Sequence, residues 1–198
     1  MIVLNHLAGL AADPSPLRRE VVVDGVPLVV RGLCAEDATA LTAFLAGLSC
    51  DSRRFWHGDA DDTEEAAGWI EAIGRYDKLR LVAHEPGRED RLAGVVDLSF
   101  SLPEGFEITR YAAYGIELDE ERTARFGPCV ANEWQGRGLA AALLPPAWDA
   151  IRLFGRERVV LFGGVHAGNH RARRFYARHG FVETGEVDGT VDMMRDLP

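Results

Sequence analysis

Two stretches, Cys129 to Ala140 (CVANEWQGRGLA) and Asn169 to Phe181 (NHRARRFYARHGF), decide the reading of this 198-residue chain. In the first, Gln135, Gly136, Arg137, Gly138, Leu139 and Ala140 fit the pattern Q/R-x-x-G-x-G/A and lie between a strand-like apolar run and a helix-like run. Glycines there let the chain curl until successive backbone N–H groups converge, and a following helix adds positive potential, which together make an anion cradle. The second stretch spells N-x-x-A-x-x-F-Y and then H-G-F. It supplies a polar cap, a helix and a phenol.

Composition narrows what such a cradle serves. An apolar fraction of 47% over this length suits one soluble globular domain with a sizeable core. The formal charge of -9 speaks against a nucleic-acid surface, which needs a basic stripe. The sign reverses locally, since Arg137, Arg152, Arg156, Arg158, Arg171, Arg173 and Arg174 fall in the last third. Cys34, Cys50 and Cys129 form no C-x-x-C pair, so neither a disulfide framework nor a metal site is expected. The N-terminal run lacks a basic n-region and no apolar run is long enough for a membrane span, so a cytoplasmic location is expected.

Outward from the two stretches the elements follow from pattern. Asp24-Gly25 between apolar runs predicts a hairpin over Val21 to Leu33. Leu41, Phe44, Leu45 and Leu48, then Ala66, Trp69, Ile70 and Ile73, mark two amphipathic helices, the second with a capping-box-like start at Asp62 and Glu65. Leu79 to Ala83 and Leu92 to Phe100 read as strands, the latter with Asp97 on its polar face. Leu102 to Glu121 has no steady period and reads as a long hairpin or excursion before a strand at Thr123 to Ala131. Pro145 and Pro146 interrupt the helix that starts near Gly136. Val159 to Val165 reads as one buried strand, and Phe181 to Glu186 with Thr190 to Met194 as a closing hairpin.

This order of strand, QGRGLA, helix, strand, N-x-x-A-x-x-F-Y and Gly180-Phe181 resembles the coenzyme A binding core of the GNAT superfamily, the Gcn5-related N-acetyltransferases. The resemblance is close over roughly residues 120 to 185 and architectural upstream. It implies an α/β fold with a mixed central β-sheet flanked by helices, forming one domain over residues 21–198 after an N-terminal extension over residues 1–20. It also implies acetyl-CoA as co-substrate, no metal, and direct acetyl transfer to a primary amine in a ternary complex.

Residue by residue, the resemblance assigns the pyrophosphate to the loop from Gln135 through Gly136, Arg137, Gly138 and Leu139 to Ala140. The pantetheine arm falls to the backbone of Cys129 and Val130, with a further cofactor contact at Asn169, which also suits a helix N-cap. Tyr176 occupies the position of the general acid that protonates the departing thiolate; an ordinary phenol is protonated at neutral pH and can donate. Where histone-acetylating relatives carry a strand glutamate, this chain has Ala124. Asp97 and Glu121 are the carboxylate candidates for the base, with Glu120, His166 and a water chain left open. Cys129, inside a strand, reads as a buried bystander and not a nucleophile.

Two other readings compete. Gly136 to Ala141 also spells G-x-G-x-x-A with Glu157 about twenty residues on, as in dinucleotide-binding folds, but Glu157 precedes its strand and the second stretch goes unexplained. A GNAT-fold module that binds acetyl-CoA without transferring the group, as a sensor or structural partner, is the other. The acceptor is expected to be a small-molecule or peptide amine. The segments Ser49 to Asp61 and Pro103 to Glu121 are expected to choose it, the alternatives being plain loops or contacts in a homodimer.

Overall fold

A computed structural model describes residues 2–56, 61–102 and 106–198. In chain order the elements are α1 (Ile2–Ala12), β1 (Arg19–Val23), β2 (Val26–Gly32), α2 (Ala38–Ala46), α3 (Cys50–Trp56), α4 (Asp62–Glu71), β3 (Lys78–His84), β4 (Leu92–Ser99), α5 (Glu107–Ala113), β5 (Thr123–Val130), α6 (Leu139–Ala142), α7 (Leu144–Leu153), β6 (Arg158–Leu161), β7 (Val165–His166), α8 (His170–Arg178), β8 (Val182–Val187) and β9 (Thr190–Asp196). The architecture is mixed α/β, with mostly antiparallel strands flanked by helices, as the sequence implies. The chain divides into two compact units, Met1–Asp97 with Pro128–Ala150, and Leu98–Gly127 with Ile151–Pro198.

In the first unit β1, β2, β3 and β4 lie in that order, with β1–β2 and β2–β3 antiparallel. The β1–β2 turn uses Asp24 and Gly25 at φ 53° and 79°, the left-handed pair that a tight hairpin requires. Leu41, Phe44, Leu45 and Leu48 are all buried, as their spacing predicts, together with Ala66 and Trp69 of α4. The cap of α4 is Asp61, not Asp62: its carboxylate accepts from the N–H groups of Thr63 and Glu64 at 2.9 and 3.0 Å. Asp62 is thereby released to pair with Arg53 at 2.7 Å. The expected interruption of the glycine-loop helix falls at Leu143. There α6 ends and α7 begins, so that Pro145 and Pro146 sit in a first turn where a missing N–H costs nothing.

In the second unit β5 runs parallel to β6, and β6, β7 and β8 each pair antiparallel with β9. Two expectations change here. Val159 to Val165 is not one strand: β6 stops at Leu161 and a turn through Gly163 and Gly164, both at positive φ, leads to β7. The excursion is not irregular either, for it contains α5. Too short to show a period, that helix is fixed by tertiary contacts. Tyr111 is fully buried and donates from its hydroxyl to the Met193 carbonyl at 3.0 Å, while Arg110 and Tyr114 both reach Asp192. Gly185, at a shift of register between β8 and β9, leaves room for the Tyr114 ring where any Cβ would collide.

Among the described residues no helix is long and apolar enough to cross a membrane. His57 and Asp59 of the segment Ser49 to Asp61, and Pro103 of the segment Pro103 to Glu121, lie outside the described residues.

Candidate functional site

The glycine loop between β5 and α6 is pinned at both ends by side chains. The Gln135 amide donates to the Val130 carbonyl at 3.2 Å and to the Ser52 hydroxyl at 3.0 Å, closing the loop on the end of its own strand. Asn132 donates to the Gly47 carbonyl at 2.7 Å and accepts from the Ser49 N–H at 3.2 Å. Held this way, Gly136 and Gly138 stand at φ 79° and 94°, and nothing lies within 4 Å of where a Gly138 side chain would begin. The N–H groups of Gly136, Arg137 and Gly138 make no hydrogen bond among the described residues. Three unused amide donors on an open, curled backbone are what a diphosphate needs. The helix that follows is four residues long before its break, so the attraction resides in these amides more than in a helix dipole.

Arg137 adds a cation beside the amides. Its guanidinium lies 4.2 Å from the Trp134 ring and its Nε donates to Asp24, in the β1–β2 turn, at 3.1 Å. Cys129 is buried in β5, and loss of solvent pushes its thiol up to about 12, so it stays protonated and is no nucleophile. Next to it the Val130 carbonyl is occupied by Gln135. The ladder between β5 and β6 ends at Phe126 and Leu161, short of Cys129, and Pro128 supplies no N–H to prolong it.

Of the carboxylates singled out in the sequence, Asp97 lies in the first unit. Its Oδ1 is 3.1 Å from the Nε of Arg80, whose guanidinium lies 4.1 Å from the Trp69 ring. Trp69 in turn donates from Nε1 to Glu65 at 2.7 Å. Sequence reasoning passed over Arg80; the available signal was an arginine between Leu79 and Leu81 in the strand Lys78 to His84.

The remaining candidates lie in the second unit. Asn169 caps α8, its Oδ1 accepting from the Ala172 N–H at 3.1 Å. Tyr176, on the same helix, is buried edge-on against Phe175 and Phe181, with ring centroids 5.3 and 5.2 Å away. Glu121 is exposed just before β5, and Glu120 accepts from the Leu102 N–H at 3.2 Å. His166 is exposed, and its Nδ1 accepts from the Gly168 N–H at 3.1 Å. Ala124 is buried. The sequence reading also missed Glu107, the first residue of α5, which is wholly buried against Arg125.

Comparison with known proteins bears on the fold. A family model described as an acetyltransferase (GNAT) domain matches residues 104–183. The fold is similar to the crystal structure of the GNAT domain of S. lividans PAT, with a TM-score of 0.73 and 21% identity over 93% of this chain and 99% of that one. It is also similar to a PaiA N-acetyltransferase from Thermoplasma acidophilum in complex with coenzyme A, with a TM-score of 0.62 and 16% identity over 85% of this chain and 98% of that one. A spermidine N-acetyltransferase SpeG chimera from Vibrio cholerae and hSSAT gives 0.60 and 21%, over 85% and 95%. No curated protein matches the chain in sequence. At these identities the structural likeness is one of fold, and the GNAT reading of the sequence is borne out at that level.

Proposed function

We propose that this chain, which has the GNAT acetyltransferase fold, is an acetyl-CoA-dependent N-acetyltransferase that moves the acetyl group directly to an amine. The observation that carries this reading is the set of unused N–H groups at Gly136, Arg137 and Gly138 around open space. They fit a pyrophosphate, with Gln135, Leu139 and Ala140 completing the loop, the backbone of Cys129 and Val130 serving the pantetheine arm, and Asn169 a further contact. Bound acetyl-CoA would supply the acetyl thioester. The acceptor nitrogen forms the new C–N bond as the C–S bond breaks. One proton leaves the amine, to Asp97, Glu121 or water, and one reaches the departing sulfur from Tyr176. A phenol in place at that sulfur contributes about 10²-fold or more.

The test is calorimetry of coenzyme A binding to Gly138→Ala and Gly138→Asp. Any side chain at φ 94° strains the backbone, so alanine reports strain alone while aspartate adds charge in the cradle. Binding to the aspartate variant should be weaker than to the alanine variant by about 100-fold, the scale of losing charge-assisted hydrogen bonds. Equal affinity in two folded variants would sink the assignment. In a thiol-release assay with acetyl-CoA and amines, Tyr176→Phe should keep cofactor affinity and lose about 10²-fold in turnover. Binding without thiol release from the unaltered protein would favour a sensor over an enzyme.

A further inference from the structure

The most under-used buried charge in the first unit is Arg80. Its side chain is 9% exposed and that of its partner Asp97 is 14% exposed. Yet its Nε makes no hydrogen bond among the described residues, the Asp97 contact being one of charge alone. Arg31 in the same unit shows what a structural arginine looks like here. Its two Nη atoms grip Asp37 at 2.7 Å each, its Nε donates to His84 at 3.2 Å, and Nη1 also reaches the Gly32 carbonyl at 3.0 Å. Burial lowers the pKa of Arg80, offset only in part by Asp97, Glu65 and Asp77, so its charge is poorly compensated. A guanidinium carries five N–H donors in a planar fork, and a buried Nε–H left unmet is costly unless something else meets it.

We infer that Arg80, laid flat on Trp69, anchors the carboxylate of the acceptor, so that the acetylated amine belongs to an amino carboxylate such as an amino acid. Stacking on the indole fixes the plane of the fork, and a planar, singly charged carboxylate meets two parallel N–H groups in that plane. A phosphate dianion suits the place less, since Asp97 already stands 3.1 Å from the guanidinium. The same acidic neighbours, Asp97, Glu65 and Asp77, favour a cationic group on the other end of the ligand. A positive fork beside a negative rim matches a zwitterion. The inference rests on the acetyl-transfer reading for the reaction, but the anion anchor is measurable without it.

The experiment uses the whole chain and a panel of the twenty amino acids, their carboxamides and spermidine. Coenzyme A release is followed from acetyl-CoA, and binding of the same compounds by calorimetry in the presence of coenzyme A. Arg80→Gln alone would remove the cation 3.1 Å from Asp97 and change the net charge of the pair, so the neutral variant is Arg80→Gln with Asp97→Asn, and Arg80→Lys keeps the charge without the fork. At least one acid should be bound and acetylated about 10- to 100-fold better than its amide, the worth of a bidentate charge-assisted contact. That ratio should fall toward one in the neutral pair and partway in Arg80→Lys. Amides or spermidine used as well as the acids, or a ratio unmoved by the variants, overturns the inference. Arg80-dependent binding of acids with no acetylation of any amine would sink the transfer reading and leave the anchor standing. No binding of any acid sinks the anchor.

Discussion

The second unit builds the same three-part device as the Arg80 site and uses it differently. Arg125 lies 3.7 Å from the Phe162 ring with Glu107 at 3.2 Å, an arginine on an aromatic face with a carboxylate beside it, as Arg80 has Trp69 and Asp97. What differs is closure. The Glu107 side chain is 0% exposed and accepts a hydrogen bond from the Gly163 N–H at 3.3 Å, which ties helix α5 to the turn after β6. Both arginines leave Nε without a hydrogen bond among the described residues, but the Asp97 side chain is 14% exposed, so that pair keeps an open edge on its carboxylate side. A pair whose carboxylate is wholly buried holds a fold together, whereas one with an open carboxylate edge can receive a ligand.

Breaking the sealed pair should have the largest effect. Glu107→Ala leaves Arg125 buried without its carboxylate, and such uncompensated charges cost about 3–5 kcal/mol. Denaturant unfolding measures it through the midpoint. Replacing both partners, Glu107→Leu with Arg125→Met, should recover most of the loss, because the cost lies in the stranded charge. Asp97→Ala strands Arg80 in the same manner, but water reaches that edge, and the loss should be about 1–3 kcal/mol. Equal losses at the two sites would remove the distinction drawn between them.

How far the sequence could foresee these sites follows from how far apart their parts lie. The cradle is local: Gln135, Gly136 and Gly138 set their own backbone, and Gln135 closes on Val130 five residues away. The Asp24-Gly25 turn and the Asn169 cap are local too, and each is found where its dipeptide or capping pattern predicts. The arginine devices are not. Arg80 meets Asp97 from the neighbouring strand, and Glu107 meets Arg125 across the excursion, so both depend on strand order and register that composition does not carry. Helix α5 escaped for the same reason, since its identity lies in the reach of Arg110, Tyr111 and Tyr114 to β9, about eighty residues on.

A third copy of the device extends the comparison to the surface and carries the smallest effect. Arg137 lies on Trp134 with Asp24 at 3.1 Å, its side chain 33% exposed and that of Asp24 62% exposed. An ion pair this open contributes about 0–1 kcal/mol, so Asp24→Asn should leave stability within about 1 kcal/mol of the parent. Its consequence should appear in binding instead. Asp24 is an anion beside the loop proposed to take a diphosphate, and its Coulomb repulsion opposes the ligand that the three amides attract. Removing it should tighten coenzyme A by about two- to five-fold, the affinity equivalent of an exposed pair. The gain should fade as salt approaches about 1 M, where screening reaches roughly 3 Å. The losses at Glu107 and Asp97 should persist in the same salt, because buried charges are screened much less. A several-kcal/mol loss for Asp24→Asn, or weaker binding of coenzyme A, would mean that exposure of the carboxylate is not what grades the three pairs.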